Sequence, residues 1–472
     1  MRDEPYKKLA SNTIVFSIAS FGSRIISFVM VPLYSYLLTK EEYGTIDLVL
    51  TISSFLVPIL FLSINDAVLR YVMDKSYDNK SVVSNSMIVL FCGAVVFLFG
   101  LPIITRIYPQ LSRYLFFLTL VLFSSELNTV FNALLRALGK VKMFAINGIL
   151  HTLVFVGCNV LFLVGFHMKV EGYLLSQIIS SGISFCFAFI SCKSWNYIGF
   201  CYDKAVLRKI LIYSVPLIPN AIMWWIMDVS DKFVVTFYLG VAANGLYAMA
   251  KKIPSIIDMF NGFFNQAWRL SAIEENDADY VKGFTSRVYE MYYLLHTLVI
   301  GLLLIVSKPF VMILSESYRA TWEYIPLLLI SVSVSSLSAF LGSKFVANEK
   351  TMIIFRTTII GAIVNTILNF ALIPHFGLNG AGAATFVGFA VVLLVREKKL
   401  LVDNELDIAF RRWPLLTIIV VEIFFYYILP IWWTVIVNAC VLCLFIGFKR
   451  EIILKILSRL FGLIKSRKKR LE

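Results

Sequence analysis

The chain has 472 residues, 59% of them hydrophobic and 15% charged, with a mean hydropathy of +0.82. Soluble domains carry about 25% charged residues, so a soluble globular protein is excluded. Apolar runs of about 20 residues recur along the whole length, which excludes a β-barrel of alternating ten-residue strands and defines a polytopic helical membrane protein. The formal net charge of +14 would suit nucleic acid as well as membrane topology, and its distribution decides between them.

Membrane helices are predicted at 9–38, 46–66, 82–104, 114–136, 143–166, 173–192, 211–238, 246–268, 288–307, 324–345, 352–374, 378–396, 413–430 and 432–448. The first is entered from Arg2, Lys7 and Lys8 and is far longer than the apolar core of a signal peptide, so it reads as a retained helix. With the N-terminus in the cytoplasm, outward loops hold only Lys40, Arg106, Arg113, Lys169, Lys308 and Arg319. Arg24, Lys232, Lys251 and Lys252 lie inside helices, and every other Lys or Arg falls on the cytoplasmic side. This asymmetry obeys the positive-inside rule and predicts fourteen helices with both termini cytoplasmic. The basic balance is therefore topology, and no nucleic-acid partner is expected.

After the first helix, Thr39 and Glu42 have the spacing of a capping box, and Gly44 reads as permitting a sharp turn into the second helix. The seven cysteines are scattered. Cys440 and Cys443 form a CxxC inside the last apolar helix, without the loop and further ligands that a zinc site needs. No P-loop, zinc motif or nucleophile elbow is present, so no catalytic residue, metal or cofactor is expected. In the tail, Ile453, Ile456, Leu457, Leu460 and Ile464 share one helical face ahead of Lys465, Arg467, Lys468, Lys469 and Arg470, the pattern of an interfacial helix on an anionic leaflet.

Internal similarity appears at an offset near 200. LTKEEYG (38–44) matches LGVAANG (239–245) in its Leu and Gly, and farther on Lys140 pairs with Lys350, Asn159 with Asn369 and Gly172 with Gly382. The organisation expected is an N-lobe (1–202), a C-lobe (203–400), two helices outside the repeat (401–448) and a cytoplasmic tail (449–472). Parallel six-helix repeats with a substrate site between them are a transporter architecture.

A charge at mid-membrane costs roughly 2.5–3.5 kcal/mol on insertion scales, so such residues normally face a partner or a water-filled cavity. Arg24 reads either as a structural pair with a carboxylate such as Glu126 or as an always-charged planar donor suited to bidentate phosphate recognition. Lys251 and Lys252, adjacent in the eighth helix, would point about 100° apart. Lys232 has Asp228 four residues before it, the orientation of an intrahelical ion pair, and Asp231 beside it. That cluster is either self-neutralised or a lumen-facing group that binds a head group or exchanges a coupling cation. Glu126, Glu290, His296 and Glu422 are buried candidates for proton relay, and equally for satisfying neighbours in the bundle.

FGSRIISFVMVPLYSYLLTKEEYG (21–44), LLRALGKVKMF (134–144) and ILIYSVPLIPNAIMWWIMDVSDKFVVTFYLGVAANGLYAMAKKIPSII (210–257) resemble the corresponding stretches of Wzx-type polysaccharide flippases, in the same order along about the first 400 residues. These belong to the multidrug/oligosaccharidyl-lipid/polysaccharide (MOP) exporter superfamily. The resemblance implies an all-α fold like that of the MATE multidrug exporters: two six-helix lobes in a V, plus two C-terminal helices. It also implies export of an undecaprenyl-diphosphate-linked oligosaccharide for O-antigen or capsule from the cytoplasmic to the outer leaflet of a bacterial plasma membrane. Polysaccharide polymerase and chain-length proteins are then expected partners beside membrane lipids. Arg24, Lys232, Lys251 and Lys252 would meet the diphosphate, and Asp228, Asp231 or Glu126 would couple a proton or sodium gradient. A lipid II flippase and a multidrug exporter are the alternatives within the superfamily. A membrane glycosyltransferase or polymerase would need larger catalytic loops.

Overall fold

The computed structural model describes residues 26, 28–74, 76–107, 109–199, 202–262, 278–347, 350–407 and 413–448. Arg24 and the amphipathic tail from 449 onward lie outside the described residues. The described elements are helical: α1 (Phe28–Leu37), α2 (Lys40–Leu60), α3 (Ile64–Met73), α4 (Asn79–Ile107), α5 (Leu115–Ala137), α6 (Val141–Asn159), α7 (Val170–Cys192), α8 (Lys204–Ser214), α9 (Leu217–Leu239), α10 (Val241–Ala250), α11 (255–262), α12 (Ala278–Ile313), α13 (Ile325–Ala347), α14 (Thr351–Val402), α15 (Trp413–Ile428) and α16 (Ile431–Phe448). Among the described residues nine helical stretches are long and apolar enough to cross a membrane, with three shorter apolar helices beside them.

Where the helices break has local causes. Gly377, three residues after Pro374, adopts φ 59° and ψ −137° and divides α14 into the two segments that the sequence predicts. Leu62 and Ser63 take positive φ between α2 and α3, where one continuous helix is expected. The predicted eighth helix is also interrupted. α10 ends at Ala250, and residues 251–254 form a turn before α11, because Pro254 disfavours helix for the residue before it. Lys251 and Lys252 therefore sit in a helix break, not on a continuous helical face.

At the start of α2 the capping box is present: Thr39 Oγ1 accepts from Glu42 N (3.2 Å), and Glu42 Oε2 accepts from Thr39 N (2.9 Å). The helix it caps runs on through Gly44 in its second turn to Leu60, so the sharp turn expected at Gly44 is absent. Glu42 also pairs with Lys169 at 2.7 Å, and this hydrogen-bonded carboxylate raises the exposed Lys169 ammonium above its ordinary pKa.

The helices form two compact units, residues up to Met249 with Ala362–Ala381, and Ala250–Gly361 with Gly382 onward. The boundary expected at 202/203 falls within the first of these. In the first, α5 and α6 pack on α7, and α3 on α5. In the second, α12 is central to α13, α15 and α16, around Tyr289, Tyr292, Phe340, Leu341 and Phe345, none more than 1% exposed.

Paired positions of the sequence repeat have like geometry. Lys140 and Lys350 cap α6 and α14 with φ/ψ of −82°/53° and −87°/46°, and their amides donate to Leu135 O and Phe345 O, again 210 residues apart. Asn159 and Asn369 are both fully buried.

Candidate functional site

α2 is held along α9 and α10 by a set of contacts that begins with two glycines. A Cβ on Gly44 would overlap the Val241 carbonyl oxygen, and a Cβ on Gly245 would overlap that of Lys40. Each obstacle is the carbonyl four residues before the other glycine, so the two helix starts cross at backbone contact with two-fold character. Small residues permit this approach in membrane helices. Gly44 is thus required by a neighbouring helix and not by a turn, which corrects the reading from sequence. Asn244, beside Gly245 and fully buried, donates from Nδ2 to Gly44 O (3.3 Å) and to Asp47 Oδ2 (3.1 Å).

One turn farther along α2, Asp47 meets Lys232 of α9. Lys232 Nζ donates to Asp47 Oδ1 at 2.8 Å and reaches Thr51 Oγ1 at 3.5 Å. The two charged side chains are 16% and 18% exposed, neither sealed from solvent nor freely hydrated. The expected partner, Asp228, lies on the exposed side of α9, and the ion pair made by Lys232 crosses between helices instead. Asp231 is 1% exposed and takes a different hydrogen bond: its Oδ2 accepts from the Tyr247 hydroxyl of α10 at 2.5 Å, while Oδ1 accepts from Lys232 N at 2.9 Å. Deeper still, Trp225 Nε1 donates to Ser54 Oγ (3.0 Å) and its ring packs on Phe55. Ser230 Oγ donates to Asn365 Oδ1 of α14, which also accepts from Asn369 Nδ2.

Of the predicted site residues, Lys232 and Asp231 are brought together with Asp47, Asn244 and Tyr247. Lys251 and Lys252 are half-buried in the turn after α10 and belong to the second compact unit. Glu126 of α5 is 3% exposed and forms part of the wall of a cavity of about 240 Å³ with Phe61, Met87, Phe91 and Phe123. Its Oε1 has no hydrogen-bond partner. Its expected partner Arg24 is outside the described residues.

Sequence reasoning missed Asp47, because a second helix starting at 46 puts that carboxylate at an exposed first turn, where acids are ordinary. The start at Lys40 places it two turns in. The usable signal was the capping box itself, which fixes the true helix start.

Among the described residues the elements are helical, and their arrangement is shared with solved membrane transporters. The structure is similar to lipid II flippase MurJ in an inward closed conformation, with TM-score 0.72 and 15% identity over 93% of this chain and 100% of that one. It also resembles an inward-facing MATE multidrug resistance transporter of the MOP superfamily, with TM-score 0.62 and 13% identity over 82% and 98% of the two chains. A MOP superfamily transporter from Pyrococcus furiosus aligns with TM-score 0.56 and 13% identity over 84% and 96%. No curated protein sequence matches. Residues 9–269 match the model of the family described as polysaccharide biosynthesis protein, more than half of the chain, and the chain belongs to that family.

Proposed function

We propose that the protein moves an undecaprenyl-diphosphate-linked oligosaccharide from the cytoplasmic to the outer leaflet of a bacterial plasma membrane by alternating access, without chemical change to it. The observation that carries this reading is membership of the polysaccharide biosynthesis family over residues 9–269. The physical problem in such a transfer is the diphosphate, which a low-dielectric membrane resists far more than the polyprenyl tail. Arg24, Lys232, Lys251 and Lys252 are its proposed contacts. Lys232 supports the role because its ammonium is already held by an anion, Asp47, at 16% exposure. A phosphate oxygen replacing that carboxylate keeps the Lys232 ammonium paired, while Asp47, part-exposed, retains the hydrogen bond from Asn244. Such a swap keeps binding moderate enough for release. Asp228, Asp231 and Glu126 are the proposed routes for a coupling proton or sodium ion. Polymerase and chain-length proteins would receive the product, with both termini of the flippase in the cytoplasm.

A second reading, transport of lipid II, is favoured by the fold shared with MurJ. One assay addresses both. Wild type, Arg24→Ala and Lys232→Ala are reconstituted into proteoliposomes at equal folded amounts, and transbilayer movement of undecaprenyl-diphosphate oligosaccharide and of lipid II is followed. Movement of the oligosaccharide by wild type, lost in the variants, is the expected result. Movement of lipid II alone would replace the substrate, and no movement of either under proton and sodium gradients would refute the flippase reading.

A further inference from the structure

The two helices outside the repeat, α15 and α16, form a hairpin through Leu429 and Pro430. Its first layer is anchored to α12 by a buried cation. Lys308 Nζ donates to Leu429 O (2.9 Å) and Thr434 Oγ1 (3.3 Å) and lies 4.7 Å from the Trp322 ring centroid and 4.8 Å from that of Tyr426. Ser307 Oγ reaches the Tyr426 hydroxyl at 3.1 Å. Tyr426 and Thr434 therefore mark one level across the antiparallel hairpin.

One turn deeper on each helix, four residues from Tyr426 and four from Thr434, stand Glu422 and Asn438. Both are fully buried. Neither carboxylate oxygen of Glu422 and neither amide atom of Asn438 has a hydrogen-bond partner. The third side of this layer is α12. A Cβ on Gly301 would lie 2.7 Å from Glu422 Oε1 and 2.9 Å from Leu442 Cδ1 of α16, so the glycine leaves room for the carboxyl head against the helix backbone. Leu442 is the next turn of the face that carries Thr434 and Asn438. Two polar side chains thus stand at one level of the three-helix packing without bonding to each other, with four polar atoms unmatched. Buried polar groups without partners cost several kcal/mol, and a buried carboxylate without a counter-charge costs more.

We infer that Glu422 and Asn438 form a binding site for a small monovalent cation, H+ or Na+, inside the C-terminal hairpin. A proton taken from water turns the carboxylate into a neutral acid whose O–H can donate to Asn438 Oδ1. A sodium ion would instead draw on the same oxygens of Glu422 and Asn438. Other titratable groups lie on the packed helices. On α12, Glu290 is half-buried and about three turns from Gly301, Lys308 is engaged as above, and the ring nitrogens of His296 lie 2.8 Å from Tyr292 O and 3.1 Å from Asn261 Oδ1. On α15, Tyr426 and Tyr427 reach the Trp322 and Glu323 carbonyls, and on α16 Cys440 and Cys443 are exposed. This inference concerns ion binding by the chain and does not depend on what it carries.

The test uses the full chain in lipid nanodiscs and needs no transport substrate. Infrared difference spectra are recorded between acid and alkaline pH, and between sodium and a large organic cation at fixed pH, in H2O and D2O. Wild type is compared with Glu422→Gln and Asn438→Leu, each checked for an unchanged melting profile. The expected result is a carboxyl signal in wild type that is lost in Glu422→Gln and shifted in frequency in Asn438→Leu. A pH-dependent signal assigns the proton and a sodium-dependent one assigns sodium. Identical difference spectra in wild type and Glu422→Gln under both exchanges would overturn the site, and an unshifted signal in Asn438→Leu would overturn the pairing.

Discussion

Replacing Gly44 by alanine is a sharp test of the helix crossing, because the atom it adds would overlap a backbone carbonyl that cannot rotate away. Real Cβ atoms essentially never lie closer than 3.0 Å to another heavy atom of this kind, so α2 and α10 must separate. Overpacking of this sort costs about 1–3 kcal/mol. The separation also strains the Asn244 hydrogen bond to Gly44 O, worth about 1 kcal/mol. Alanine recovers up to about 1 kcal/mol through its better helix propensity. The net expectation is a loss of about 1–3 kcal/mol for Gly44→Ala, and the same for Gly245→Ala, which meets the Lys40 carbonyl. Gly148 on α6 supplies the control, since nothing lies within 4 Å of an added Cβ there, and Gly148→Ala should be neutral or stabilising. Melting temperatures of purified protein in nanodiscs give the comparison. The double variant should lose less than the sum, because helices already parted accept the second methyl more easily. Wild-type stability in both Gly44→Ala and Gly245→Ala would refute the contact, and so would an equal loss in Gly148→Ala.

The remaining expectations are simpler. Lys232→Met or Asp47→Asn should each destabilise by about 1–3 kcal/mol, below the 3–5 kcal/mol of a fully buried pair because water still reaches both groups. A double-mutant cycle in thermal melts should return a coupling of at least ~0.5 kcal/mol, and strict additivity would remove the ion pair. Thr39→Val should cost about 0.5–2 kcal/mol of helix stability and speed amide exchange at Glu42, whose N–H loses its acceptor. At the far side of the chain, Lys399 and Lys350 hold the Asp403 carboxyl below the usual carboxylate range. A depressed native value means that its contribution is complete at neutral pH and is lost as pH falls through that value. Asp403→Asn should therefore lower the melting temperature at neutral pH and leave less to lose on acidification; an unchanged acid limb would refute this.

Legibility in the sequence followed the range of the interaction. The last apolar helix (432–448), the break at Gly377 and the capping box at Thr39 depend on neighbours a few residues away, and all three can be read directly. The partner of Lys232 could not. Asp228 at i−4 is the local answer, and it loses to Asp47, 185 residues away, because α2 crosses α9 at that level. The meaning of Gly44 shifted for the same reason: a glycine after a cap suggests a turn until a second helix is known to touch it. Pro254 is the converse case. Its rule is local, but the apolar run around it suggests one continuous helix carrying Lys251 and Lys252, and the helix breaks there.

The repeat shows which of these long-range contacts descend from duplication. Lys140 Nζ donates to Ser191 O near the end of α7 (2.6 Å), and Lys350 Nζ pairs with Asp403 (3.1 Å) and Glu405 (2.9 Å) just beyond α14. Adding 210 to 191 gives 401, so each lysine reaches the corresponding helix end. The backbone register is kept, while the partner has changed from a carbonyl to two carboxylates. The glycine crossing behaves likewise, since Lys40 and Gly44 stand in one copy where Val241 and Gly245 stand in the other, at an offset of 201. Polar groups laid over that frame are not duplicated. Asp47 corresponds to Ala248, so the ion pair with Lys232 exists once. Glu422 and Asn438 lie in helices that have no counterpart at all. Duplication accounts for the frame, and the proposed site charges lie at positions where the two copies differ.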